Sequence, residues 1–522
     1  MIKHSIFLKQ LRRELRLRRL EIYNTSIISE DDVLYLLARD RNRRKLIVFS
    51  PQNIPKNHIP DFAIEDKVKI HVRNTLFTCQ ICLCNQYNAS LLRKKFCFTK
   101  PIRLGLKSTI GTGDRIGLAT PGHIRLAKKY GIFPVLAQQS IREMRRSSRT
   151  AQEIIDDVTW AVFQEGYQNG FAADADHLKN EEDIDETFEA GFTMYTIDPS
   201  DYVDDKADDY DMVMLRQKFK QLPWNELKCE KDDYLRRFDD KTFKLADSQH
   251  SLNITFSEKD LLTAAVKYST AISYVDRLSR YLVKLFKGDY FDLEVSVDET
   301  EKPTSPLEHL FLILELQRLG VRVQSLALRF MGRFEKAIDY VGELDEFEKV
   351  FRDHALIARL YGPYKLGIHS GSDKFSIYPI IAKLTSMVHL KTAGTSYLEA
   401  LRIVARKKPV FFREIVKYCV DCYEEDRKTY YIKTEISMIP NPDSVSDQDL
   451  EKIFLNQNNG RQLLHVTFGS ILTARDTRGK WRFRDYIKKA LFDNEEEFYE
   501  AIVTHFENHI PVLGLAKREE DE

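Results

Sequence analysis

Long apolar runs, an excess of charge of one sign and dense cysteine are all missing from this chain. No apolar run reaches the roughly 18 residues that a membrane span requires, and the amino terminus lacks a signal-peptide core, so we expect no membrane partner and a cytoplasmic location. The 80 Lys and Arg residues balance 79 Asp and Glu, which gives no overall field for nucleic acid. Seven Cys in 522 residues do not make a disulfide scaffold, and their odd number favours free thiols.

Two cysteine clusters have a spacing that zinc sites use, one at Cys79, Cys82 and Cys84 and the other at Cys419 and Cys422. The first lies in an alternating run that is typical of a strand, and the second lies in a helical pattern. A structural zinc site shared between them would have to join distant parts of the sequence. We therefore predict that these cysteines pack within their own elements.

From residue 106 onward, short apolar runs alternate with amphipathic segments, which is typical of parallel βαβ units. This pattern predicts an α/β fold, a (β/α)8 TIM-type barrel over residues 106–516, preceded by a small N-terminal α+β domain at 1–105. An acidic and then helical stretch at about 201–288 indicates an insertion after the third strand, and the acidic tail 517–522 is predicted to be disordered. The eight candidate strands are residues 133–139, 170–176, 192–197, 290–297, 323–329, 366–369, 387–391 and 463–468.

Helix start signals follow several of these strands. Thr150 with Glu153, Ser305 with Glu308, and Ser396 with Glu399 each have the spacing of a capping box, in which two side chains satisfy the first free amides of a helix. These signals support the alternation of strand and helix.

The predicted carboxyl ends of the strands carry ionisable side chains, where packing alone would favour Val, Ile or Leu. In a barrel of this kind the reactive groups come from those ends. The second strand closes on Asp174, Asp176 and His177, and other histidines lie on later strands. Imidazole and carboxylate from different strands suit a divalent cation such as zinc, nickel, manganese or iron.

We predict that His177 and His369 bind this cation, because each closes a strand and is followed by polar loop residues. The third ligand stays open between His389, His465 and a carboxylate.

A carboxylate beside a cation can accept a proton from a substrate hydroxyl. Asp176 and Glu299 are candidates for a proton-transfer pair. Glu294 and Asp298 compete with Glu299 for the second role, because the spacing does not settle where the fourth strand ends.

Arg115, Lys374 and Lys391 are candidates for holding a carboxylate or phosphate group by charge-assisted hydrogen bonds. The glycines between Gly111 and Gly117 match neither the dinucleotide fingerprint nor the P-loop spacing. We interpret that segment as a loop that leads the chain into the barrel.

At these residues the chain resembles the tagaturonate/fructuronate epimerases of bacterial hexuronate catabolism. The similarity runs from about residue 111 to 470 and is weakest in the first hundred residues and in the insertion. The matching segments are Gly113–His123 (GDRIGLATPGH), Ala137–Glu143 (AQQSIRE), Phe171–His177 (FAADADH), Phe192–Ser200 (FTMYTIDPS), Glu294–Thr300 (EVSVDET), His369–Phe375 (HSGSDKF) and Lys391–Thr395 (KTAGT).

The resemblance implies a metal-dependent epimerase that interconverts D-tagaturonate and D-fructuronate. These sugars differ at a hydroxyl-bearing carbon β to the ketone, which simple enolisation cannot invert, so a retro-aldol route is implied. Asp176 would remove the hydroxyl proton and the carbon–carbon bond would open to an enediolate stabilised by the cation. After the aldehyde half turns over, Glu299 would supply the proton that completes re-addition.

The same resemblance, carried onto the matching positions, implies metal ligation by His177, His369 and His389. The implied partner is a hexuronate keto-acid, whose carboxylate gives one of the cationic side chains a reason to be there. The implied substrate contacts are Gln139, Ser140, Asp373, Lys374 and Lys391.

Two other interpretations stay open. A class II-type aldolase or another metal-dependent sugar isomerase would use the same ligands on the same barrel. A non-catalytic binding protein would use the barrel as a scaffold and leave the acids and histidines idle. The sequence also leaves open whether the chain forms a homo-oligomer.

Overall fold

The computed structural model describes residues 4–514 apart from 41–42, 56–57, 73–74, 249, 289, 370–372, 431 and 433, so the predicted disordered tail at 517–522 lies outside the described residues. The strands are β1 (Glu21–Ile22), β2 (Ile28–Glu30), β3 (Val33–Arg39), β4 (Arg44–Pro51), β5 (Ile64–Val72), β6 (Thr75–Leu83), β7 (Thr109–Gly111), β8 (Phe133–Val135), β9 (Gln139–Ser140), β10 (Asp174–Leu178), β11 (Met194–Ile197), β12 (Lys241–Ala246), β13 (Ser251–Phe256), β14 (Asp292–Val297), β15 (Ser325–Leu328), β16 (Lys365–His369) and β17 (Val388–Lys391).

The α-helices lie before, between and after these strands. They are α1 (His4–Leu17), α2 (Gln86–Lys95), α3 (Thr120–Tyr130), α4 (Ile141–Ser147), α5 (Ala151–Glu165), α6 (Glu181–Ala190), α7 (Met212–Lys220), α8 (Lys231–Phe238), α9 (Glu258–Phe286), α10 (Pro306–Leu319), α11 (Leu344–Leu360), α12 (Tyr378–Leu384), α13 (Thr395–Lys407), α14 (Pro409–Asp426), α15 (Asn458–Val466), α16 (Phe468–Thr473), α17 (Arg484–Asp493) and α18 (Glu495–Phe506). Within the described ranges, no helix combines the length and the apolar character that a bilayer crossing requires.

The amino-terminal part of the chain is an antiparallel six-stranded sheet with the order β1-β3-β4-β6-β5, in which β2 also pairs with β3. Alternate residues of β3 point to opposite faces, so Leu34 and Leu36 pack towards α1 while Tyr35 and Leu37 pack towards α2 and α5. One face of this amino-terminal sheet therefore packs against α5, a helix that comes after β9 in the chain. The predicted domain boundary at residue 105 stays a prediction.

Four of the five cysteines of the two clusters lie within regular elements, and Cys84 lies directly after β6. Cys79 and Cys82 are buried in β6, and Cys419 is buried in α14. Among the described residues, no candidate group of metal ligands includes a cysteine.

The second sheet has nine strands in the order β8-β7-β17-β16-β15-β14-β11-β10-β9, and every pairing in it is parallel. The predicted α/β architecture with a parallel sheet is thus confirmed. Val135 at the end of β8 also forms a parallel bridge to Ala172, just before β10. The segment from β8 to β9 therefore lies beside both β7 and β10.

Seven of the eight predicted strands overlap a strand of this sheet, but the eighth prediction is wrong. Residues 463–468 lie in and just after the helix α15, whose residues 460–466 are all buried. An apolar run buried on every side carries no period that separates a strand from a buried helix. The strand that the sequence did not reveal is β7, which has only three residues and ends on a glycine. The first predicted strand is also divided, into β8 and β9.

The insertion predicted at about 201–288 contains α7, α8, the antiparallel hairpin of β12 and β13, and the 29-residue helix α9. Capping boxes are present at Thr150 with Glu153 and at Ser305 with Glu308, as predicted. The third predicted box is wrong, because α13 begins at Thr395 and Ser396 lies inside it.

Candidate active site

The carboxyl ends of the parallel strands surround one buried ammonium group, that of Lys391 on β17. Its Nζ lies 2.9 Å from Asp174 Oδ2, 2.6 Å from Asp176 Oδ1 and 2.6 Å from Glu294 Oε1. It also donates to Thr196 Oγ1 at 2.7 Å. These partners come from β10, β11 and β14, which are adjacent in the sheet. One cation thus joins three carboxylates in the centre of the molecule.

Charge compensation keeps these groups ionised despite burial. Burial acts to lower the pKa of Lys391, but the three carboxylates outweigh it and raise that pKa well above its usual value. Burial acts to raise the pKa of Asp176 and of Glu294, but the Lys391 ammonium outweighs it and holds both values low. A buried carboxylate without such a cation would neutralise by taking up a proton.

His177 follows this cluster on β10 and has a backbone φ of +53°, in the left-handed region that a non-glycine residue seldom adopts. The pairing of β10 with β11 shifts its register between Ala175 and Leu178, so a bulge lies at this histidine. The His177 ring centre lies 5.3 Å from that of His369. Local strain at the end of β10 thus accompanies the approach of two imidazoles.

Carboxylates hold both rings in place. His177 Nδ1 lies 3.1 Å from Asp198 Oδ2, and its Nε2 lies 3.8 Å from Asp176 Oδ1. His369 contacts Glu294 through Nε2 at 2.8 Å and Asp298 through Nδ1 at 3.1 Å.

Both imidazoles hold protons tightly among these carboxylates. Burial acts to lower both pKa values, but the surrounding carboxylates raise the pKa of His177 to about 10. Burial and the Lys391 charge both act to lower the pKa of His369, but Asp298 and Glu294 outweigh them and raise it to about 9.

Three groups of side chains among the described residues have ligand atoms close enough to share a metal ion. The first is Asp176, His177 and His369, at the ends of β10 and β16. The second is Asp174, Glu294 and His389, one layer deeper. The third is His177, Asp198 and Glu299. The structure therefore brings His177 and His369 together and leaves His389 in a different group.

His389 is fully buried and contacts Thr109 Oγ1 through Nδ1 at 2.8 Å. Its Nε2 lies 3.8 Å from Asp174 Oδ2, too far for a hydrogen bond. His465 belongs to none of the three groups, since it lies on α15 rather than on a strand.

A cavity opens above this cluster, and four cationic side chains line it. Of the predicted site residues, Ser140, Asp176, His177, His369 and Lys391 contribute to its wall, whereas Gln139, Glu299, His389, Asp373 and Lys374 do not. The lining residues are Arg115, Gln138, Ser140, Arg142, Glu143, Asp176, His177, Lys336, His369, Lys391, Ala393, Tyr430 and His465.

Gln138, rather than Gln139, faces the cavity and donates from Nε2 to Asp176 Oδ2 at 2.7 Å. Neighbouring residues of an extended segment point to opposite sides, so the amide of Gln138 faces the cavity and that of Gln139 points away from it.

Asp373 and Lys374 lie away from the cavity, in buried networks of their own. Asp373 pairs with Arg461 at 2.7 Å and with His505 at 2.9 Å. The Lys374 ammonium donates to the backbone carbonyls of Glu335, Ile338 and Asp373. Asp373 therefore links its loop to the carboxyl-terminal helices, and Lys374 links that loop to the loop around residues 335–338.

The cationic side chains that line the cavity differ in whether a carboxylate pairs with them. Arg115 pairs with Glu143 and stacks on the Phe468 ring, and Arg142 pairs with Glu299 at 3.2 Å. No carboxylate among the described residues lies within 4.0 Å of the Lys336 ammonium. Sequence reasoning missed Lys336 and Tyr430, which lie in loops without a periodic pattern. Arg142 lies within the matching segment AQQSIRE, but it lies on α4 rather than at a strand end, so the strand-end pattern does not indicate it.

Comparisons with known proteins agree over nearly the whole chain. The sequence profile of the tagaturonate epimerase family (UxaE) matches residues 23–513. A tagaturonate/fructuronate epimerase from Thermotoga maritima is 42% identical over 494 residues, which cover 94% of this chain and 97% of that protein. The crystal structure of fructuronate-tagaturonate epimerase UxaE from Cohnella laeviribosi with one glycerol is 34% identical, with a TM-score of 0.88 over 98% of this chain and 100% of that chain. The native structure of the same protein gives a TM-score of 0.87 with the same coverage.

Proposed function

The chain belongs to the tagaturonate epimerase family and is therefore an isomerase, and we propose that its substrates are D-tagaturonate and D-fructuronate, interconverted in the cavity above Lys391. The observation that carries this proposal is the grouping of Asp176, His177 and His369 at the floor of a cavity with cationic walls. Such a floor suits a metal-assisted reaction, and such walls suit an acidic sugar.

A divalent cation fits the donor set at this floor. Asp176, His177 and His369 offer one oxygen and two nitrogens that all lie within 4.8 Å of one another, a combination that suits zinc, nickel, manganese or iron. Asp198 on Nδ1 of His177 resembles the outer carboxylate that orients metal-bound imidazoles. When bound, a cation would supply positive charge that acidifies a substrate hydroxyl and offsets the negative charge formed when a carbon–carbon bond opens.

His389 is the less suitable third ligand in this proposal, because its group lies one layer deeper. We assign it there to the support of Asp174 and Glu294.

The inverted carbon is β to the ketone, so its hydrogen is not acidic and a retro-aldol route is the simplest path. In this route Asp176 accepts the proton of the hydroxyl on that carbon, and the bond to the α carbon opens to an aldehyde and an enolate. The aldehyde half rotates, the bond forms again on the other face, and a carboxylic acid returns the proton. The low pKa of Asp176 makes it a weak base, so it acts only on an acidified hydroxyl.

Glu299 is the best of the three candidates for returning the proton. Glu294 is fully buried, bound to Lys391 and His369, and holds a pKa well below its usual value. Asp298 is bound to His369. Burial acts to raise the pKa of Asp298, but His369 outweighs burial and lowers it. The Glu299 side chain is 34% exposed and belongs to the group with His177 and Asp198, so it can exchange protons with water beside the site.

For the substrate carboxylate we propose Lys336 as the partner, because the described residues give it no competing carboxylate, with Arg142 beside it. Ser140 and Gln138 then contact hydroxyl groups, and Lys391 holds Asp176 in position. Under this proposal Gln139 supports the strand instead of touching substrate, and Asp373 and Lys374 order the loops around the cavity.

The sheet topology supports a closed barrel as the frame of this site. If β8 and β9 are counted as one strand, eight strands follow one another around a ring, since that strand pairs with β7 on one side and with β10 on the other. We propose the (β/α)8 barrel on this basis, with residues 1–105 as the attached α+β domain. The carboxyl end of such a barrel is where the cluster lies.

The activity is tested by incubating the purified protein with D-tagaturonate, with and without zinc, nickel, manganese or iron(II) after chelator treatment. The proposal expects a six-carbon mixture of two epimers that appears only with metal. Three-carbon fragments that persist would favour an aldolase instead. Absence of both bound metal and product would favour a binding protein.

A further inference from the structure

A second cleft, with a volume of about 590 Å³, separates the amino-terminal sheet from α5 and α17. Its size falls within the usual range of roughly 300–1,000 Å³ for small-molecule sites. One wall is formed by the start of β4 and the end of β6, and the other by Trp160, Gly117 and α17. Cationic side chains line it at Arg43, Arg44, Lys45, Lys488 and Lys489, whereas carboxylates line it at Asp157 and Asp485.

Neighbouring acids neutralise three of these five cations. Arg43 pairs with Asp40 at 3.9 Å and with Glu65 at 3.2 Å, Lys45 also pairs with Glu65, and Lys489 pairs with Asp493 at 3.3 Å. Of the five cationic residues that line the cleft, Arg44 and Lys488 remain.

Arg44 and Lys488 have no carboxylate within 4.0 Å in the described parts of the chain. Arg44 donates from Nη2 to the hydroxyl of Tyr499 at 3.2 Å, but its Nε is buried and makes no hydrogen bond there. An unpaired guanidinium that is withdrawn from water is unfavourable unless an anion completes it. Burial acts to lower the pKa of Arg44, but Tyr499, Tyr23 and Glu495 outweigh it and raise that pKa. Arg44 thus has acidic neighbours at longer range and, among the described residues, no carboxylate in direct contact.

Lys488 faces the cleft from the opposite wall, on α17. Burial acts first to lower its pKa, and the like charges of Arg149 and Arg484 lower it further against the pull of Asp157. Lys488 thus lies among the cations Arg149 and Arg484 and the acid Asp157.

We propose that this cleft binds a small organic phosphate, with the phosphate dianion held between Arg44 and Lys488. Two positive charges without a carboxylate in direct contact suit the two negative charges of a phosphate ester, and a guanidinium fork suits phosphate oxygens. Of the two acids that line the cleft, Asp157 pairs with Arg149 and Asp485 is exposed to water. Leu118, Trp160 and Phe492 supply an apolar surface for the body of the ligand. The site is separate from the catalytic cavity, with which this cleft shares no lining residue.

The test is calorimetric titration of the full-length protein with inorganic phosphate and with a hexose phosphate, in a phosphate-free and metal-free buffer. Lys488→Gln is the main variant because Lys488 makes no ion pair with a described residue, so the change breaks no salt bridge, and Arg44→Gln is the second. Each is expected to weaken binding by about tenfold or more through the loss of a charge-assisted contact. Tighter binding of the hexose phosphate than of inorganic phosphate would identify an ester as the ligand.

Two control variants separate this site from others. Lys100→Gln removes one exposed charge elsewhere, and Lys336→Gln removes a cation from the catalytic cavity; both should bind phosphate as the unmodified protein does. Absence of binding at millimolar phosphate would overturn the proposal. So would loss of binding in Lys336→Gln with retention in Lys488→Gln, since the anion would then occupy the catalytic cavity.

Discussion

Replacing Lys391 with Met tests whether one ammonium group holds the centre of the molecule together. Methionine keeps the length and apolar stem of the side chain but removes the charge. It leaves Asp174, Asp176 and Glu294 buried without the cation that lies 2.6–2.9 Å from each of them. Removing one partner of a buried ion pair costs about 3–5 kcal/mol of unfolding free energy near neutral pH. Three acids share this one cation, so the losses do not add, and we expect a value within that range.

The stability deficit of Lys391→Met should also change with pH, in a direction that the pKa shifts determine. In the unmodified protein the pKa values of Asp176 and Glu294 are lowered. Their contribution to the free energy of unfolding is therefore fully present above the pKa values of the unfolded chain, near 4, and is lost as pH falls through the lower pKa values of the folded protein. Without Lys391, burial dominates and raises these pKa values, so the folded variant gains protons that the unfolded chain lacks. The stability deficit of Lys391→Met should therefore shrink between about pH 7 and about pH 5.

The assay is denaturant unfolding followed by circular dichroism at both pH values, with Lys365→Met as the matched control. Lys365 is also buried, on β16 of the parallel sheet, but among the described residues its ammonium has no carboxylate within 4.0 Å and donates to Thr109 Oγ1 at 3.2 Å; burial lowers its pKa. The control should lose less than about 1 kcal/mol or gain stability, because a desolvated charge is removed. Equal losses in both variants, or a deficit that grows on acidification, would refute the reasoning.

Three further expectations concern the metal group and the packing beside it. Asp198→Asn removes the carboxylate from Nδ1 of His177 and should weaken metal binding by about 10–100-fold in a competition titration with a chromophoric chelator; unchanged affinity would count against His177 as a ligand. Because the raised pKa values of His177 and His369 keep both rings protonated near neutral pH, metal affinity should rise with pH up to about 9–10, and calorimetry in buffers of different ionisation enthalpy should detect proton release; a flat profile would argue for other ligands. Gly394→Ala should cost about 1–3 kcal/mol of unfolding free energy, because a new Cβ would lie 1.9 Å from Cε1 of the buried His465 ring; unaltered stability would mean that the ring moves freely.

Most of the parallel sheet could be predicted because its strands are short apolar runs that end in polar residues. That signal fails where an element is too short or is buried on all sides. The three residues of β7 carry no period, and the run at 463–468 is apolar enough for a strand yet belongs mainly to the helix α15. Both failures concern the parallel sheet. The strand that completes it is β7, at residues 109–111, whereas the sequence pattern predicts that strand at residues 463–468.

The centre of the candidate site could be predicted from strand ends, since parallel strands finish at one edge and bring their last side chains together. His177 and His369 meet for this reason. The depth of His389 and the orientation of Gln138 depend on register, which one sequence does not fix to a single residue. Lys336 comes from a loop, where no periodic pattern exists to point at a cavity.

The measurement that tests the central claim most directly is epimerisation of D-tagaturonate in heavy water with the metal-loaded protein, followed by NMR of the isolated D-fructuronate. Retro-aldol cleavage breaks a carbon–carbon bond and leaves the hydrogen on the inverted carbon in place. We expect the product to carry no deuterium at that carbon. Deuterium at that position would show that the carbon–hydrogen bond breaks instead, and would contradict the role assigned to Asp176 and the metal group.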